Sequence, residues 1–187
     1  MINESNILTM GFRGRIGNLV FRRWGTKTVV SSAPDTSHIR WSKAQKENRE
    51  RFRDAMAWAK TAMSDPEMRK YYSKMAKGMQ TAWNVAVADY MKKPEVTEID
   101  VCHYKGQKGN TVRVKARDNY RVVAVLVAIT DAQGFEVESG PAGKMQNGSD
   151  WIYKATRTNL NWQQGRIVVR VSDSPGNVVT TFRAVQG

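Results

Sequence analysis

A chain of 187 residues with 41% hydrophobic and 25% charged residues can build one or two domains with a core, and this composition excludes a disordered tail. Its longest apolar run, Val122 to Ile129, is too short to span a bilayer, which excludes a helical membrane protein. The net charge of +13 favours partners of negative charge, whether nucleic acid, anionic lipid or an acidic protein face, without naming one.

The opening residues "MINESNILTMGFRGR" carry no basic region followed by an apolar stretch, so a cytoplasmic product without a signal peptide is expected. Such a product can still be incorporated into a virion or an exported particle. Residues 1–41 read as an extended Gly/Arg-rich β arm with a net charge of +4. Gly11, Gly14 and Gly17 form G-x-x-G-x-x-G, which is neither the dinucleotide fingerprint nor a Walker loop, because no strand precedes it and no Gly-Lys-Ser/Thr follows. Glycine here permits tight turns or close backbone approach. "NLVFRRWGTKTVVS" reads as two strands around a turn at Trp24-Gly25, with Leu19 and Phe21 sharing one face and Thr28 and Val30 sharing another. A two-stranded hairpin is marginal in water, and ordering the glycine-rich run costs more backbone entropy still. The arm is therefore expected to borrow backbone partners from outside itself.

Residues 42–93 read as a helical hairpin with a net charge of +6. Ser42 and Gln45 have the spacing of a capping box. Phe52, Ala55, Met56, Ala59 and Met63 then recur at helical spacing, while residues 43–51 are polar and face solvent or a partner. "SDPE" restarts the chain. A second helix with the stripe Met68, Tyr71, Tyr72, Met75, Met79, Ala82, Trp83, Ala86 and Tyr90 is expected to run to about Lys92, roughly 40 Å. Gly78 weakens its centre and Pro94 stops it. The Met and aromatic stripe reads as helix-helix core rather than a cofactor box.

Residues 94–187 change to a period of two. "TEIDVCH", "NTVRVKA", "RVVAVLVAIT", "FEVES", "DWIYKAT", "RIVVRVS" and "NVVTTFRAV" read as seven short antiparallel strands, the pattern of an Ig-like β-sandwich. The fold class is thus α+β: a β arm, a helical hairpin and a C-terminal sandwich. In the central strand, Val123, Val125, Val127 and Ile129 point one way and Val122, Ala124, Leu126 and Ala128 the other. Both sets are apolar, so the outer face is expected to be covered by the helices or another subunit. Cys102 reads as a buried thiol in a strand.

"RIVVRVSDSPGNVVTTFRAV" and "VVAVLVAITDAQGFEV" resemble bacterial immunoglobulin-like and fibronectin type III-like modules, which carry D-x-x-G-N and D-x-x-G turns; Asp173, Gly176 and Asn177 match the first. The resemblance covers about residues 95–186, implies a sandwich and implies no particular function. The sequence lacks the Cys pair and Trp of antibody domains. Separately, "GxxGxxGNxVF" followed by "KAQ...R..F..A" resembles uncharacterised bacterial proteins.

No catalytic set, cofactor motif or metal-ligand cluster is read. His38 and His103 are isolated, and Asp118, Asp131 and Asp173 read as turn caps, with calcium binding the less favoured alternative. Trp151, Tyr153 and Trp162 are the aromatics a carbohydrate-binding role would use, although Trp151 and Tyr153 alternate as core residues do. Two functional readings stay open. One is a non-enzymatic structural protein that oligomerises or docks in a larger protein assembly (a filament, a virion-like particle or a secretion-related one) through an arm surface of Gly11, Gly14, Gly17, Leu19, Phe21, Trp24 and Val30, with the helical hairpin as docking element. The other is a nucleic-acid-binding protein that uses Arg13, Arg15, Arg22, Arg23 and Lys27 interleaved with aromatic rings.

Overall fold

The computed structural model describes residues 2–3, 11–25, 27–35, 37–38, 40–146 and 148–185. Thr26, which the sequence places at the start of a strand, and Asn147, which it places in a turn, lie outside the described residues. Contacts divide the chain into two compact units, residues 1–46 and 47–187.

The first unit holds a four-stranded antiparallel sheet in the order β1-β4-β3-β2, formed by β1 (Ile2–Asn3), β2 (Gly14–Ile16), β3 (Leu19–Trp24) and β4 (Lys27–Ser32). Ser42 and Gln45 exchange hydrogen bonds as a capping box, 3.2 Å from Gln45 N to the Ser42 hydroxyl and 2.9 Å from Ser42 N to Gln45 Oε1. They start helix α1 (Lys43–Ser64).

In the second unit the buried seam of α1 is Ala55, Ala59 and Ala62, while Phe52 and Met56 are exposed. The expected stripe is therefore rotated: small residues form the close contact and the larger ones lie at its margin. The expected single second helix is also two helices, α2 (Pro66–Met75) and α3 (Ala82–Met91). Asp65 caps α2 by accepting from Glu67 N at 2.8 Å, with Pro66 in its first turn. Gly78 adopts φ +59, left-handed backbone that a helix cannot contain, and the Thr81 side chain accepts from Asn84 N to start a new helix. Ala59, Ala62, Tyr72, Val85 and Ala86 form the helical core, against which Trp58 and Tyr120 also pack.

Two further four-stranded antiparallel sheets form a β-sandwich, in the orders β5-β6-β10-β9 and β12-β11-β7-β8. Their strands are β5 (Glu95–Asp100), β6 (Thr111–Arg117), β7 (Val122–Thr130), β8 (Glu136–Pro141), β9 (Gly143–Lys144), β10 (Asp150–Lys154), β11 (Arg166–Asp173) and β12 (Val178–Ala184). All seven expected strand regions carry strands, and the two-residue β9 is an addition. One core joins the two sheets: Val112 and Val114 of β6 and Trp151 and Tyr153 of β10 face Val125, Val127 and Ile129 of β7 and Ile167, Val169 and Val171 of β11. Trp151 and Tyr153 are thus core residues.

Three details depart from the sequence expectation. Ser172 pairs with Ala124 but Asp173 with Val122, so Val123 is a bulge residue and points outward, and Val122 takes its place in the core. The outer face of β7 is open at Leu126, which is 44% exposed. The helices instead meet the end of the sandwich, through Tyr120 and through Asn177, whose amide donates to the Tyr90 carbonyl at 3.1 Å. Cys102 is exposed because β5 stops at Asp100, whose carboxylate accepts the Cys102 N–H at 3.0 Å and turns the chain.

Asp118, Asp131 and Asp173 all accept backbone N–H groups in turns, as their positions imply. Gly176 has φ +89, left-handed backbone that favours glycine, and its N–H closes the turn by donating to the Asp173 carbonyl at 3.3 Å, so it is the fourth residue of that turn.

Where helices and sandwich meet, Asp89 is fully buried. The Tyr72 hydroxyl donates to its Oδ2 at 2.7 Å, and its Oδ1 has no partner among the described residues. Burial, reinforced by the Asp118 and Asp173 carboxylates against the Tyr72 hydrogen bond, pushes its pKa up to about 7. The folded state therefore holds this proton more tightly than the unfolded chain. The contribution of Asp89 to stability is complete below the ordinary Asp value of 3.8 and is lost as pH rises through about 7. Asp89→Asn is expected to gain roughly 1–3 kcal/mol relative to the native chain between pH 5 and pH 8. Urea denaturation at the two pH values measures it, and a pH-independent difference between the proteins would show that Asp89 does not titrate there.

Candidate interaction surface

The N-terminal sheet gathers the residues of both functional readings. Ile16 pairs with Leu19 and Trp24 with Lys27, so two residues close each hairpin. Gly17 and Gly25, at the first loop position, have φ +57 and +62, the left-handed conformation such loops require of one or both residues. The Nε of Arg15 donates to the Gly17 carbonyl at 2.9 Å, and that of Arg23 to the Gly25 carbonyl at 3.1 Å, so each arginine braces the turn beside it.

This pairing corrects one expectation. The glycine-rich run finds its backbone partner in β3 of its own chain, with Gly14 opposite Phe21 and Arg15 opposite Val20. Gly11 and Arg13 precede β2, and Gly11 has φ +98.

Directly paired residues of antiparallel strands project to the same face, and neighbours along a strand alternate. The register therefore sorts the side chains. One face carries Ile16, Leu19, Phe21, Val30, Arg23 and Thr28. Phe12 joins it by packing edge-on against Phe21, with ring centroids 5.5 Å apart. The other face carries Arg15, Val20, Arg22, Val29, Trp24 and Lys27. The expected pairing of Leu19 with Phe21 and of Thr28 with Val30 holds, and all four share the first face. Trp24, which the assembly reading grouped with them, lies on the opposite face among the cations. Ile16, Val20 and Val29 belong to the surface and were not singled out from the sequence. The Gly17-Asn18 pair, a two-residue hairpin signal, could have revealed them by fixing the register.

No side chain described in this sheet is buried; Val20, Phe21, Thr28, Val29 and Val30 are partly covered and the others exposed. Ile16 is 58% exposed, Leu19 46% and Phe12 47%, so the apolar face is open. The sheet thus has a complete backbone ladder and lacks the core that makes a sheet independently stable.

The other unit offers less. His103 is exposed there, as His38 is in the first unit. Glu138 is buried. Although burial pushes its pKa up, hydrogen bonds from Thr156 and Tyr153 outweigh this and hold it low, so it acts as a structural acceptor between β8 and the end of β10. No helix among the described residues is long and apolar enough to cross a membrane.

No family model and no curated protein matches the chain. Among solved structures, CopC from Methylosinus trichosporium OB3b is similar at 15% identity and a TM-score of 0.36, over 48% of this chain and 87% of that one. A lipoprotein from Bacteroides thetaiotaomicron, solved by NMR, is similar at 11% identity and a TM-score of 0.28, over 62% of this chain and 88% of that one. With both scores below 0.5, function rests on the geometry of the chain itself.

Gly17→Ala places a Cβ on left-handed backbone at the first hairpin and is expected to cost about 1–2 kcal/mol locally. Amide exchange in residues 14–21 should quicken roughly tenfold, with the sandwich strands unchanged; equal protection throughout would show that this turn does not set the sheet.

Proposed function

We propose that this chain is a non-enzymatic assembly protein, a homo-oligomer or a component of a larger protein assembly, which docks through the apolar face of its N-terminal sheet. The observation that carries this reading is the mismatch between ladder and core. The sheet has every register pair of two hairpins, yet Phe12, Ile16 and Leu19 stand open on one face. Burying such a face is worth about 25 cal/mol per Å² of apolar surface, the term that the isolated sheet forgoes. The exposed Phe52 and Met56, one helical turn apart on α1, support the helices as a second docking element.

The displayed module is read as Ig-like. Lettering β5 to β12 in chain order as A, B, C, C′, D, E, F and G turns the two sheets into A-B-E-D and G-F-C-C′, the arrangement of immunoglobulin-type sandwiches. The Asp173–Asn177 turn, in which the Asp173 carboxylate accepts from the Asn177 backbone N–H at 2.7 Å and from its side-chain amide at 2.8 Å, supports the same reading.

Light scattering on nuclease-treated full-length protein tests the assembly reading. The native chain should show a mass above the monomer. Removing residues 1–40, which leaves Ser42 to cap α1, should give a folded monomer that keeps the sandwich. The double substitution Ile16→Ser, Leu19→Ser should weaken association at least tenfold. A monomeric native protein, or an unchanged mass after the deletion, would refute it.

A further inference from the structure

The second face of the N-terminal sheet has a different chemistry, and the assembly reading leaves it unused. Arg15, Arg22 and Lys27 project from three neighbouring strands on that face, and Trp24 stands directly opposite Lys27. Trp24 is 74% exposed. Val20 and Val29 form a partly covered floor between these groups. From Gly11 to Pro34 the five charged residues of the sequence are Arg13, Arg15, Arg22, Arg23 and Lys27, with no Asp or Glu among them. Arg13 and Arg22, together with Arg23 and Phe21 of the opposite face, line a shallow concavity of about 500 Å³ at this sheet.

Position on the sheet gives these groups definite spacing. Residues two apart on a strand are about 6.6 Å apart, and neighbouring strands about 4.8 Å. The turn hydrogen bond of Arg15 uses one of its five N–H donors and fixes the guanidinium plane, leaving a donor-rich edge directed away from the turn. Such guanidinium groups suit phosphate oxygens, which they engage in pairs. An indole open to solvent among cations suits the flat face of a base, because every base can stack on it whatever its sequence.

We propose that this face binds single-stranded nucleic acid, with Arg15, Arg22 and Lys27 on the phosphates and Trp24 stacked on a base. A duplex fits less well, because its bases are already stacked and only its phosphates would be contacted. A lipid surface would take the opposite face, where the apolar side chains are. The inference does not rest on the assembly reading, which uses that opposite face.

Fluorescence anisotropy of the full-length protein with a labelled 20-nucleotide oligo-dT tests it. Three phosphate contacts on a single strand give a log-log salt slope of about −2, so affinity should fall about twentyfold between 50 and 200 mM NaCl. Trp24→Ala should weaken binding about tenfold at an unchanged slope, and Trp24→Phe should restore most of the loss. Arg22→Gln with Lys27→Gln should flatten the slope to about −0.7. Ile16→Ser with Leu19→Ser should leave the slope and the Trp24 effect in place even where it disperses an oligomer, so the two readings fail separately. Absence of binding at 50 mM NaCl would overturn the proposal. So would a 20-base-pair duplex bound equally well with no Trp24 effect, or binding confined to vesicles containing phosphatidylserine.

Discussion

The register of the N-terminal sheet is the constraint on which the surface depends. Because successive strand residues alternate between faces, a slip of one residue would move every side chain to the other side. Two-residue loops at Gly17-Asn18 and after Trp24 prevent that slip, since each fixes which residues stand opposite each other. The braces from Arg15 and Arg23 to the turn carbonyls hold the same loops from the side-chain direction. From this local geometry follow an apolar face bearing Phe12, Ile16, Leu19 and Phe21 and a basic face bearing Arg15, Arg22, Trp24 and Lys27. Strands with such sorted faces and no buried side chain among those described constitute a surface rather than a domain core.

The sandwich shows the same alternation with a different outcome. Val125, Val127 and Ile129 on β7 face Val112 and Val114 on β6 across one interior, and all are essentially inaccessible to solvent. That unit meets the entropy cost of ordering its strands from its own apolar burial. Its junction with the helices is more polar. Asp89, Tyr72, Asn177 and the Tyr90 carbonyl fix how α2 and α3 meet the turns of the sandwich. A buried carboxyl is a poor source of stability, and its value lies in orientation: only one placement of α3 satisfies both the Tyr72 hydroxyl and the Asn177 amide.

Much of this was legible in the sequence where one period dominates. The seven strand regions were readable from alternation, and the Ser42 cap from a side chain that answers unpaired helix N–H groups, while the restart at "SDPE" left Ser64 and Asp65 both open as caps and the structure uses Asp65. What escaped is informative. The break between α2 and α3 turns on Gly78 and Thr81, where a left-handed glycine and a capping hydroxyl override a continuous apolar stripe. The stripe in α1 included Ala55 and Ala59 but missed Ala62 and gave Phe52 and Met56 too much weight, because alanines, weak as hydrophobic markers, make the closest helix contact. The bulge at Val123 cannot be read from a run in which every residue is apolar. Cys102 emerged on the surface because a single Asp100 hydrogen bond ended the strand early. On the interaction surface, the residue types were visible but their division between faces was not, since that needs the pairing across both turns.

The division of faces also orders the two functional readings. Grouping Trp24 with Leu19 and Phe21 treats all the aromatics as one sticky arm, for which protein docking and nucleic-acid binding compete. The pairing of Trp24 with Lys27 and of Leu19 with Ile16 reduces the competition, because Arg15, Arg22, Trp24 and Lys27 lie on one side of the sheet and Ile16, Leu19 and Phe21 on the other, where Arg23 also projects. A partner covering the apolar face supplies the missing core and leaves Arg15, Arg22 and Trp24 facing outward. Covering that face lowers the cost of holding the strands in register, so the cations and the indole are presented at fixed spacing before any anion arrives. Were both proposed activities present, docking on one side would strengthen binding on the other through preorganisation alone.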